Sequence, residues 1–130
     1  MAELQAGRHR PSAVKRTYIP KLGGGQRPLG IPTVKDRIVQ GALKRVLEPI
    51  FEWEFRPESY GFRPGRGAKD ALREVDAALQ AGHYYVVDAD LKGYFDSIPH
   101  DALMDEVQAR ISDGRVLALI DAYLKADILD

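Results

Sequence analysis

Apolar and polar positions alternate along the chain in ways that predict a hairpin followed by a series of helices. In Val14–Pro20 (VKRTYIP), apolar Val14, Tyr18 and Ile19 stand among Lys15, Arg16 and Thr17, the pattern of an imperfect strand with an exposed basic side. Gly23-Gly24-Gly25 breaks that pattern, and Arg27–Ile31 (RPLGI) returns as a second arm. Pro28 confines this arm to a sheet edge or to its own first residues, because proline cannot donate to a ladder. From Val34 to about Phe55, the positions Ile38, Val39, Ala42, Leu43, Val46, Leu47, Ile50 and Phe51 recur at intervals of mainly three and four, which predicts a long helix capped by Thr33. Pro49 is expected to bend or restart it. Ala68–Leu79 reads as a second amphipathic helix with Ala71, Leu72, Val75, Ala78 and Leu79 facing inward, stopped by Gly82. His100–Ile111 and Arg115–Leu124 read as two more, parted by Ser112-Asp113-Gly114.

The stretch Tyr84–His100 (YYVVDADLKGYFDSIPH) behaves differently. A β-branched run, Tyr84–Val87, breaks into Asp88 and Asp90, and residues two apart on a strand share a face. A buried strand delivering carboxylates at its end suits a hard cation such as Mg²⁺, which is held by one or two carboxylates together with substrate phosphates. The alternative is a strand edge running into an acidic, solvated turn, since Asp favours turns for local reasons.

Composition narrows the choice of chemistry. A chain of 130 residues is of single-domain size. It has no Cys, which excludes a disulfide framework, a thiol nucleophile and a cysteine zinc site. His9, His83 and His100 are scattered, without metal-ligand spacing. No apolar run approaches the roughly 20 residues of a membrane span, and no signal peptide opens the chain, so a cytoplasmic protein without a membrane partner is expected. The net charge of zero conceals an asymmetry: residues 1–67 hold 13 Lys/Arg against 6 Asp/Glu, and residues 68–130 hold 6 against 13. The first half thus resembles a phosphate-binding surface.

Arg56–Gly67 (RPESYGFRPGRG) is a loop by its Pro and Gly content, and it interleaves Tyr60 and Phe62 with Arg63 and Arg66. Aromatics between arginines suit stacking and phosphate contact with a single RNA strand. A loop pinned to its own core by two aromatics explains the pattern equally well.

The ordered set KRTYIPK, GGGQRPLGIPTVKDRIVQ, SYGFRPGRGAKDA and YVVDADLKGYFDSIPHDAL resembles the reverse transcriptases of group II introns, the intron-encoded maturase family, over most of residues 14–124. The resemblance implies an α+β fold: the fingers (1–82) and the first part of the palm (83–130) of a right-hand polymerase, with an N-terminal β-hairpin, several helices and a central palm strand. It implies RNA-templated DNA synthesis with RNA template, DNA primer, deoxynucleoside triphosphates and intron RNA as partners. By the same resemblance, Asp90 is the catalytic, metal-binding aspartate and the Leu91 carbonyl a second contact to Mg²⁺ or Mn²⁺, while Asp88 is not a ligand. Phe95 matches the aromatic under the sugar of the incoming nucleotide. Lys21 and Arg27 match residues that grip its triphosphate. The family's second metal-binding motif, an aromatic-Ala-Asp-Asp hairpin, is not in this sequence, so the chain by itself is expected to be inactive. Two rivals stand beside this reading: an RNA-binding splicing module without chemistry, and a retron, CRISPR-associated or diversity-generating relative.

Overall fold

The computed structural model describes residues 2–129, in the order α1 (Ala2–Gln5), β1 (Val14–Pro20), β2 (Gln26–Ile31), α2 (Val34–Glu52), α3 (Ala68–Gln80), α4 (Tyr94–Ser97), α5 (His100–Gln108), α6 (Gly114–Leu124) and β3 (Ile128–Leu129). This is an α+β chain with a mixed sheet, as its sequence implies. It forms two compact units, one of residues 1–46 with 97–130 and the other of residues 47–96.

The first unit carries the sheet, ordered β2-β1-β3. β1 and β2 pair antiparallel from Lys15 opposite Ile31 to Pro20 opposite Gln26. Gly24 and Gly25, at φ of 88° and 80°, close the tip, where the Lys21 N–H donates to the Gly25 carbonyl at 3.0 Å. Pro28 is tolerated because β2 lies at the edge. Gly30 is required by packing: a Cβ there would stand 2.7 Å from Val14 Cγ1, and a β-branched neighbour has little freedom to move aside. β3, two residues absent from any sequence expectation, pairs parallel with Val14 and Lys15. Among the described residues, the buried apolar ones, Val39, Met104 and Ile111, all belong to this unit.

Local rules place the helix ends. Thr33 caps α2, its Oγ accepting from the Asp36 N–H at 3.2 Å and donating to Asp36 Oδ2 at 2.5 Å. The helix then runs through Pro49 to Glu52 without restarting. Asp113 caps α6 by accepting from the N–H groups of Arg115 and Val116. α3 ends in a Schellman motif: His83 N–H donates to the Ala78 carbonyl and Gly82 N–H to the Leu79 carbonyl, with Gly82 at φ 90°.

Two expectations are corrected in the second unit. Residues 84–91 form no strand; they lie outside the sheet with no ladder partner, and Tyr84, Tyr85, Val86 and Val87 are 77–101% exposed. A strand exists only where neighbouring backbone accepts its N–H and C=O groups, and apolar alternation does not create that neighbour. The α3 face expected to be inward is open too, with Leu72, Val75 and Leu79 exposed and no residue of 47–96 fully buried.

Candidate active site and nucleic-acid surface

The Schellman end of α3 releases an irregular segment that runs from Tyr84 to the Lys92–Gly93 turn. Gly93 takes φ 64°, a conformation that favours glycine, and the chain turns there into the short α4. This reversal brings residues on either side of the turn to one cavity of about 660 Å³, lined by Asp90, Leu91, Phe95 and Asp96 among others. Phe95 is 83% exposed and meets Tyr94 edge to face at 5.4 Å between ring centroids. Asp90, Leu91 and Phe95 are therefore brought together at an open concavity.

The oxygen donors of this concavity are of the right chemical kind for Mg²⁺ or Mn²⁺, but they are too few. Among the described residues, no group of three or more His, Asp or Glu side chains comes together to hold an ion.

In the first unit, Lys21 and Arg27 flank the glycine tip of the hairpin. Both are exposed, and the short backbone closure at Gly25 sets their two arms side by side.

The loop from Arg56 to Gly67 is built around one guanidinium. Arg63 Nε and Nη2 donate to Glu52 Oε1 at 3.0 and 2.7 Å, and Nη1 donates to the carbonyls of Arg56 and Ser59 at 2.8 Å each. Its side chain is only 7% exposed and lies 5.2 Å from the Phe55 ring centroid. Four of its five N–H donors are thus directed at Glu52 on α2 and at the loop's own carbonyls. The Arg63 hydrogen bonds hold the Glu52 carboxyl below the usual carboxylate range, against the opposing effect of its partial burial. Arg66, by contrast, is exposed, donates to the Pro57 carbonyl and lies 5.8 Å from the centroid of the half-buried Tyr60 ring. Tyr60 and Arg66 thus form one cation–π pair, and Arg63 supports the backbone that carries them. Glu52 had no sequence signal as Arg63's partner, since a separation of eleven residues follows no local spacing rule.

Residues 19–129 match the reverse transcriptase (RNA-dependent DNA polymerase) family. Among curated proteins, the chain is 43% identical over 132 residues to Protein YkfC of Escherichia coli, aligning 98% of itself with 35% of that protein. It is 38% identical over 128 residues to the group II intron-encoded protein LtrA of Lactococcus lactis, again over 98% of itself and 21% of that protein. A mitochondrial nuclear intron maturase of Arabidopsis thaliana is 35% identical over 94 residues, which are 72% of the chain and 13% of the maturase. The chain thus spans about a third or less of the length of these relatives. Among the described residues, no helix is long and apolar enough to cross a membrane.

Proposed function

This chain belongs to the reverse transcriptase family, on its group II intron-encoded branch, and from that premise we propose that it forms the nucleotide-binding part of an RNA-directed DNA polymerase. In this reading residues 1–82 belong to the fingers and residues 83–130 open the palm. Asp90 carries a catalytic carboxylate. With the Leu91 carbonyl it forms one side of a divalent-cation centre, the other ligands coming from substrate phosphates and from carboxylates outside this set. Lys21 and Arg27 bind the triphosphate of a deoxynucleotide, and Phe95 underlies its sugar. The reaction is attack of a primer 3′-hydroxyl on an α-phosphate, in which catalysis rests on positioning and electrostatics. The observation that carries this reading is the shared cavity of Asp90, Leu91 and Phe95 around the Gly93 turn.

Primer extension on an RNA template tests it. In a full-length polymerase containing this chain, Asp90→Ala should abolish extension and Asp88→Ala should leave substantial activity; the reverse ranking refutes the assignment. The pure 130-residue chain should not extend a primer.

A second reading is favoured by the concentration of 13 Lys/Arg in residues 1–67. The same surface would bind folded intron RNA and assist splicing without chemistry. Splicing that survives Asp90→Ala in the full-length protein separates this role from polymerisation.

A further inference from the structure

Phe62 combines two properties that oppose folding when taken alone. It is the non-glycine residue at positive φ among the described residues, at 57°, and its ring is 101% exposed. A bulky side chain in the left-handed region is strained, and strain of this kind persists only where surrounding contacts enforce it. The enforcing contacts are those of the next residue. Arg63 ties the backbone at Arg56 and Ser59 and the Glu52 carboxylate to a single guanidinium, leaving the residue before it little freedom. The loop therefore holds an aromatic ring outward at a backbone cost.

We propose that Phe62 is a stacking platform for an unpaired nucleobase of single-stranded RNA, and that Arg63 is the positioning residue that presents it. This deepens the proposed function and rests on it. Charge supports the choice of occupant. The segment from Arg56 to Lys69 contains Arg56, Arg63, Arg66 and Lys69 against the one acid Glu58, and with Arg63 neutralised by Glu52 the exposed charges Arg56, Arg66 and Lys69 remain within seven residues of Phe62 along the chain. An exposed aromatic among exposed cations binds a strand through a base face and neighbouring phosphates together, with little regard to sequence.

The test uses the 130-residue chain with a 12-nucleotide oligoadenylate and an equally charged oligomer that is abasic throughout. Phe62→Gly removes the ring and supplies a residue suited to φ 57°, so its melting temperature should match or exceed that of the parent chain. Its affinity for oligoadenylate should fall roughly 5- to 150-fold, the range for loss of one stacked base, with an unchanged salt slope because no charge is lost. In a Trp53→Phe background, Phe62→Trp should be quenched by oligoadenylate and not by the abasic strand. Arg63→Lys keeps the charge and loses the fork, so it should diminish that quenching while preserving the salt slope. Equal binding by Phe62→Gly and the parent, or equal quenching by the abasic strand, overturns the platform while the polymerase reading survives. Self-association abolished by Phe62→Gly at unchanged RNA affinity assigns the ring to a second copy of the chain and likewise overturns it. Absence of RNA binding by the parent chain overturns the platform, and the polymerase reading falls separately if the full-length protein extends no primer.

Discussion

His9 Nε2 lies 3.3 Å from Asp36 Oδ1, both residues buried, and joins the segment before β1 to the start of α2. Tyr123 on α6 completes the arrangement, its hydroxyl 3.2 Å from both His9 Nε2 and Asp36 Oδ1. Asp36 Oδ2 accepts from Thr33 Oγ and from the Ser12 N–H. Three parts of the first unit, remote in sequence, thus meet at one carboxylate that is 1% exposed. Replacing Asp36 with Ala leaves these donors without their acceptor and should cost about 2–4 kcal/mol, measurable by urea denaturation.

The same cluster sets a pH dependence at both extremes. Burial acts to raise the Asp36 carboxyl, but the hydrogen bonds from Thr33, Ser12 and Tyr123 outweigh it and hold the group below its ordinary range. This contribution is fully present above the unfolded value of about 3.9 and is lost as pH falls through the lower folded value. Tyr123 is pushed up to about 12, chiefly by burial and then by the Asp36 charge and hydrogen bond. Its contribution is present below about 10 and is lost as pH rises toward the folded value. Tyr123→Phe should flatten the alkaline limb of stability against pH, and an unchanged limb counts against the assignment.

Gly30→Ala should destabilise the hairpin, since the added methyl would lie 2.7 Å from Val14 Cγ1. Overpacking of this kind costs about 1–3 kcal/mol. The double variant with Val14→Ala should recover part of that loss in a melting curve, because the clashing methyl is gone.

Phe95→Ala in the full-length polymerase should admit ribonucleotides. The ring is 83% exposed, so its removal should change stability by only about 0.5 kcal/mol or less, as is usual for surface positions. Comparing kcat/KM for matched deoxy- and ribonucleotides checks this. An unchanged sugar preference rejects the assignment of Phe95 to the sugar.

RNA affinity should fall steeply between about 50 and 200 mM salt, with a slope of about −0.7 for each phosphate neutralised. Arg66→Ala should reduce that slope by about this amount, whereas Arg63→Lys should not, because it keeps the charge. Affinity insensitive to salt removes the electrostatic basis of RNA binding.

Local chemistry made much of the fold legible in the sequence. The hairpin arms, the glycine tip, the Thr33 cap, the α3 stop at Gly82 and the helices beyond Pro99 all follow from residues within a few positions of one another, where backbone preferences and periodicity act. The family was legible for a related reason: its motifs are contiguous in the sequence. What lay outside the sequence depends on partners distant along the chain. Tyr84–Val87 has a strand's composition but no ladder, because pairing requires a neighbouring backbone that pattern alone does not supply. The commitment of the Arg63 guanidinium to Glu52, eleven residues away, follows from no local spacing. The His9–Asp36–Tyr123 cluster spans separations of 87 and 114 residues. Only the tertiary structure brings such groups within hydrogen-bond distance, since burial removes the water that would otherwise satisfy them and makes each the other's necessary partner.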